Sequence, residues 1–317
     1  IGDSAFAYCS GLKSILLSGS VTTIGIGASS CCYSLKTIYN LSDLTLKCGR
    51  GFAQYATEIL GAVEYCAAHG HTPVIFDGEM FCKYCGRQMG EFGGTCGDLA
   101  WTYDPLNEVL TITGNGAIPD YSADSKAPWS SYAKYIKTIT LEEGVTVVGE
   151  YAFADCTSLT EIVIAASLTE IHGNAFPQKA VMKAVRISDL AAWCRIAFTG
   201  LSENPLFYGG VLYLNGEKLT EVTIPDGVTS IAVGAFYGQT SVKSVRIPAG
   251  VTEIGASAFS GCTELRDLVI PHGVTVIRSL AFSFCPRLSS VMFPEGLTTI
   301  GYAAFYGDTA LTEVMLP

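Results

Sequence analysis

From Leu219 onward the chain repeats itself at a constant interval of 23 residues: segments beginning at Leu219, Val242, Leu265, Leu288 and Leu311 align without a gap. Each copy reads as an apolar residue, two polar ones, Val or Leu, any residue, an aliphatic or Phe, then Pro. A Gly-Val-Thr-x-Ile pattern and an Ala-Phe pair follow, so that Phe236, Phe259, Phe282 and Phe305 share one register. Such a chain cannot close a core from unlike parts. Each copy can bury its apolar edge only against the next copy.

The first copy shows what a single unit must do. In Leu219-Thr220-Glu221-Val222-Thr223-Ile224-Pro225 the apolar positions 222 and 224 alternate with polar 221 and 223, the period of a strand with one buried face. Pro225 cannot donate to a ladder, and Asp226-Gly227 supplies a turn. Val228 and Ile231 then point back inward, and Ala235-Phe236 falls where the coil rounds its far corner. Coils stacked at strand spacing, about 4.8 Å, place each Phe on the next and build a ladder of rings. The fold class that follows is a solenoid repeat, mainly β with short helical or 3-10 turns. Its leucine-rich repeats of 23 residues are interrupted by a small β module.

Composition sets limits on function. With 49% apolar and 15% charged residues the chain is too hydrophobic for disorder, and no uninterrupted apolar run is long enough for direct membrane insertion. The net charge of −10, without a Lys/Arg cluster, argues against nucleic acid. Ile1-Gly2-Asp3-Ser4-Ala5-Phe6 enters in the middle of a repeat and Leu316-Pro317 leaves in the middle of one. The expectation is therefore a fragment, acting as a monomer, whose targeting and anchoring segments lie elsewhere.

Taken in order, residues 1–65 read as amino-terminal repeats with a capping helix. Cys9, Leu12 and Ile15 are matched by Cys32, Leu35 and Ile38, and Ser29 replaces Phe6. Phe52, Tyr55, Ala56, Ile59, Leu60 and Val63 then follow helical spacing. Residues 66–95 form a Cys/His-rich connector. Residues 96–135 form a small β module, with a hairpin predicted between Trp101-Thr102-Tyr103 and residues 109–113 around Asp104-Pro105-Leu106-Asn107. The main array occupies residues 136–317. Its coil at 182–218 is expanded, with a helix predicted from Asp189 and a hairpin turn at Asn215-Gly216.

Two clusters carry candidate chemistry. Cys82-Lys83-Tyr84-Cys85-Gly86 places two thiols on one tight turn, and Cys66 with His69 or His71 could complete a tetrahedral structural zinc site, taken as Cys66, His71, Cys82 and Cys85. The alternative is a disulfide or unused thiols, and no other cofactor is expected. Cys9 with Cys32, and Cys262 with Cys285, lie one repeat apart. Side chains stacked in parallel seldom point at each other, so buried free thiols are favoured over disulfides. His172 and His272 lie in different coils without a nearby relay, Glu142-Glu143 reads as a solvated pair, and no enzyme is expected.

The second cluster is the outward side of the strands. One column runs Thr223, Arg246, Val269, Met292 and Met315; two positions earlier the column is Glu221, Ser244, Asp267, Ser290 and Glu313. An apolar strip beside an acidic one marks Arg246, Val269, Met292, Met315, Asp267 and Glu313 as candidate ligand contacts.

Val242 to Cys262, with Val245, Ile247-Pro248, Val251, Ile254-Gly255, Ala258-Phe259 and Cys262, resembles the repeat of the BspA-like leucine-rich-repeat family of bacterial surface proteins. About three quarters of the chain shares the resemblance. Departures are local: Ser29 for Phe, and Ala165 for the strand-ending Pro. The resemblance implies a secreted or cell-surface, non-catalytic adhesion segment whose partner is a protein, host matrix or surface proteins among them. A structural spacer for another domain is the alternative. A carbohydrate-binding accessory segment built on Trp129 and Trp193 is the third reading.

Overall fold

The computed structural model describes residues 1–17, 20–40, 42, 44, 46, 52, 56, 58–61, 73–76, 79–82, 92–105, 107–198 and 200–316. The chain divides into two compact units, Ile1–Phe92 and Gly93–Pro317. Each is taken by itself.

In the first unit, strand Ser14–Leu17 pairs in parallel with Thr37–Asn40, and Ile15 faces Ile38. Ile15, Leu17, Cys32, Leu35, Ile38 and Ala56 form its core, with Leu12, Ile24 and Phe52 packed against them. Within the span where helical spacing was expected, the described residues Glu58–Gly61 form a strand, paired in parallel with Thr37–Asn40 so that Ile59 is in register with Ile38. The open edge of a parallel ladder accepts another strand more readily than a helix, because its backbone groups need partners. Phe52 stands in the aromatic register one period after Ser29, whose hydroxyl donates to the Phe52 carbonyl. Two residues are missing between that position and the strand, which brings apolar residues to helix-like spacing. An antiparallel hairpin, Pro73–Phe76 with Glu79–Cys82, follows.

The second unit is a solenoid whose main sheet has eight strands. Val109–Gly114, Thr138–Leu141, Glu161–Ile164, Ala184–Ile187 and Val211–Leu214 run parallel, with Leu110, Ile139, Ile162, Val185 and Leu212 in one buried row. Antiparallel strands close both sides: Leu99–Asp104 and Gly93–Cys96 at one, Glu217–Lys218 at the other. The predicted hairpin is thus no detached module, since its second strand begins the parallel stack. A second, narrower ladder forms where the Thr-x-Ile segments turn back, through Ser230–Ile231, Glu253–Ile254, Val276–Ile277 and Thr299–Ile300.

Proline sets strand length. Coils without it carry four-residue strands, as at Glu161–Ile164 before Ala165. Coils with Pro225, Pro248, Pro271 or Pro294 carry three-residue strands: Glu221–Thr223, Ser244–Arg246, Asp267–Val269 and Ser290–Met292. The expanded coil holds a helix at Leu190–Arg195, whose amino end is capped by Asp189 accepting from the Ala192 amide. Its hairpin turns on Asn215 at φ 51° and Gly216 at φ 86°.

The far corners are where coils lock together. Phe236, Phe259, Phe282 and Phe305 stack with centroids 4.9, 5.2 and 5.4 Å apart. Beside the first three rings, backbone amides donate to the next coil, in the first case from Gly234 to the Ala256 carbonyl, Phe236 to Ala258 and Gly238 to Ser260. Directing three amides the same way requires left-handed residues on both sides of the Phe, and Gly238, Gly261 and Gly307 meet that need. Phe284 occupies the same position at φ 57°.

Two outcomes follow. Phe259→Ala removes a fully buried ring from the middle of the stack and lowers unfolding stability by about 3–5 kcal/mol in urea titration. Phe284→Gly relieves a left-handed side chain that is 54% exposed and raises the urea midpoint, by about 1 kcal/mol in stability.

Candidate functional site

The predicted columns exist on the strand side. Thr223 faces Arg246, Val269 faces Met292, and Met292 bridges in parallel to Met315. Burial alternates along each of these strands, with the central residue inward and its neighbours outward. Val269, Met292 and Met315 are 59, 65 and 84% exposed, and Arg246 and Glu313 are exposed as well. In the acidic column Asp267 accepts from the Ser290 hydroxyl at 3.0 Å, which fixes its carboxylate beside the apolar strip.

Sequence reasoning missed a second part of this face. On the four-residue strands the equivalent column is Thr140, Val163, Arg186 and Tyr213. The Arg186 guanidinium lies over the Tyr213 ring, 4.6 Å from its centroid, and its Nε donates to Glu161 Oε1 at 2.6 Å. That hydrogen bond, with the neighbouring charge, holds Arg186 above its ordinary pKa. Tyr213 stands 27 residues after Arg186, so a search at the 23-residue period passes over it. The strand pattern Val-Leu-Tyr-Leu was the available signal. Below this pair, where Ala165 replaces the usual Pro, opens a groove of about 390 Å³ walled by Glu142, Glu143, Ser188 and the Asn215-Gly216 turn.

The remaining candidates separate. Cys66, His69, His71 and Cys85 lie outside the described residues, and Cys82 is described only as the last residue of its strand, so the zinc expectation stays with the sequence. Among the described residues no three His, Cys, Asp or Glu side chains form a group able to hold a metal ion. Cys9, Cys32, Cys262 and Cys285 are free thiols. The sulfur of Cys262 donates to the Phe236 carbonyl and that of Cys285 to Phe259, each reaching back to the preceding coil. Burial pushes the Cys285 and Cys194 thiols up to about 12, which removes them as nucleophiles.

His172 has partners that linear reading could not supply. Its Nδ1 lies 2.8 Å from Asp120 Oδ1, and its Nε2 lies 3.5 Å from Glu170 Oε1. Asp120 also accepts from the Glu150 amide, and that bond, more than the histidine, holds its carboxyl below the usual range. Among the described residues neither ring nitrogen bonds a Ser, Thr or Cys, so the cluster joins loop to coil without forming a relay. Trp129 and Trp193 are both buried, and their indole N–H groups donate to the carbonyls of Ala152 and Ala235. Trp129 stacks on Phe153 of the aromatic column and Trp193 packs edge-on against Phe198, and neither ring is free to stack on a sugar.

A model of the BspA type leucine rich repeat region matches residues 1–54, 130–203 and 211–317 in six copies. The chain belongs to the BspA-type leucine-rich-repeat family. Family membership carries a coarse function, protein binding or a surface role, on a scaffold that is typically non-catalytic. Among solved structures the chain is similar to a leucine-rich repeat protein from Bacteroides ovatus, at 21% identity over 98% of this chain and 80% of that one, with a TM-score of 0.38. It is also similar to a leucine rich cell surface protein from Faecalibacterium prausnitzii, at 21% identity over 98% and 81%, with a TM-score of 0.34. A leucine rich repeat protein of T. pallidum is 20% identical over 69% and 91%, with a TM-score of 0.32. No curated protein matches the chain. Among the described residues no helix is long and apolar enough to cross a membrane.

One buried group titrates with the array. Asp308 occupies the cysteine register one coil after Cys285 and accepts from the Cys285 amide at 2.8 Å, while its other oxygen has no partner among the described residues. Burial pushes its carboxyl up to about 7, against the amide bond that favours the anion. The folded state therefore prefers the protonated acid. Stability is greatest below the unfolded carboxyl range and falls by up to about 1.4 kcal/mol per pH unit as pH rises towards 7, then levels. Urea titrations from pH 4 to 8 should show this slope in the native chain and lose it in Asp308→Asn.

Proposed function

We propose that this segment works at the bacterial cell surface as a non-catalytic binding module that presents its strand face to protein ligands, host matrix or surface proteins among them. One observation supports it above the others. Val269, Met292 and Met315 remain more than half exposed on a ladder whose register holds them in line. Leaving such a strip in water is unfavourable, and exposed contiguous apolar surface marks interaction sites. Methionine adapts to irregular partners. Arg246 in the same column, and the Arg186–Tyr213 pair further along, are the residue types that dominate binding energy at protein interfaces.

The mechanism is geometric. A ladder of backbone hydrogen bonds fixes the spacing of the contacts before the partner arrives, so little side-chain order is lost on binding. Asp267 and Glu313 border the strip and favour a partner with basic side chains around an apolar centre.

A binding screen against immobilised matrix proteins and mucins tests this, with the triple variant Arg246→Ala, Val269→Ser and Met292→Ser alongside. All three sites are exposed, so the variant should unfold like the native chain. Binding should weaken by about 100-fold or more. Equal binding by the triple variant would remove the strand face from the mechanism. Silence of the native chain across the panel would favour a spacer.

A further inference from the structure

Away from the strand face, a cavity of about 270 Å³ lies between the loop before the first full coil and the far corner of that coil. Its origin is a defect in corner stacking. In a regular corner three successive carbonyls, those of Ala256, Ala258 and Ser260, receive Gly234, Phe236 and Gly238 amides. The equivalent carbonyls in the coil of Phe153 are those of Glu150, Ala152 and Ala154. The Tyr121 amide takes the first at 2.8 Å and the Trp129 indole takes the second at 2.9 Å. Between those two donors, residues 122–128 loop away instead of following the corner. Among the described residues nothing donates to the third, and Ala154 lines the cavity.

The chemistry of the walls is consistent along its length. Tyr121, Trp129 and Tyr151 supply aromatic surface, and small alanines leave the room between them. Across the mouth, Lys126 Nζ on the loop meets Asp155 Oδ2 on the corner at 2.7 Å, both half-exposed. A ligand here is compact, has an apolar ring face, and carries hydroxyl groups that donate to a carbonyl and a carboxylate and accept from an ammonium. The volume falls below the range of about 300–1,000 Å³ of drug-sized sites. One ring fits and a chain does not.

We propose that this cavity is a binding site for a single sugar ring, taken from the end of a glycan. Its hydroxyls donate to the Ala154 carbonyl and the Asp155 carboxylate, and one accepts from Lys126. Its carbon face lies against tyrosine. The site is separate from the strand face, and it differs from a tryptophan platform because Trp129 contributes as a buried wall.

Saturation-transfer NMR on the native chain tests this, using the methyl glycosides of glucose, galactose, mannose, fucose, N-acetylglucosamine and N-acetylneuraminic acid, with indole as an apolar control. At least one glycoside should receive saturation. Its affinity should fall by about tenfold or more in Asp155→Asn, the worth of one hydrogen bond to a charged group, while the melting temperature stays unchanged. The Arg246, Val269 and Met292 triple variant should bind it normally. Saturation of none of the six, of indole alone, or of a glycoside equally in Asp155→Asn would each overturn the assignment.

Discussion

Everything in the second unit depends on coil-to-coil hydrogen bonding in parallel register. Each coil is too thin to bury its own Leu, Ile and Phe side chains, and only the neighbour above and below excludes water from them. The strand ladder sets the spacing on one side and the corner amides set it on the other. Rings 4.9 to 5.4 Å apart are a consequence of that spacing, since neighbouring backbones at strand distance leave parallel stacking as the arrangement that fits.

The same constraint explains where the polar groups go. A buried thiol in the cysteine register reaches the preceding phenylalanine carbonyl. Where the register holds Gln239 instead, its amide side chain serves the backbone of Leu212 and Gly210 across the expanded coil. Where it holds Asp308, one oxygen is satisfied and burial raises the acid. Lateral demand for partners is constant along the array, so a change of residue alters how the demand is met without altering the fold.

Both proposed binding sites lie at places that the ladder leaves unpaired or unfilled. The outward column of the strands is unavoidable in a solenoid, because every second side chain of a strand must point away from the core. Its content is free to vary, and here it holds Arg, Val and Met beside Asp and Glu. The corner defect beside Trp129 is of the opposite kind. There the repeat is interrupted, the Ala154 carbonyl has no donor among the described residues, and a cavity opens.

The sequence by itself determined the repeat, the inward and outward faces of its strands, the aromatic column and the exposed Arg246, Val269 and Met292, because these depend only on period and alternation. It also misled at one point: with two residues missing, residues 52–63 took on helical spacing, although the open ladder edge receives Glu58–Gly61 as a strand. Only the tertiary structure decided what insertions bring together. Arg186 meets Tyr213 across an expanded coil, His172 meets Asp120 from a loop 52 residues away, and the two tryptophans turn inward to serve backbone carbonyls. Contacts within the period can be read by counting along the chain. Contacts across an insertion depend on how the extra residues fold back, and that is settled by packing and by the hydrogen bonds that remain to be made.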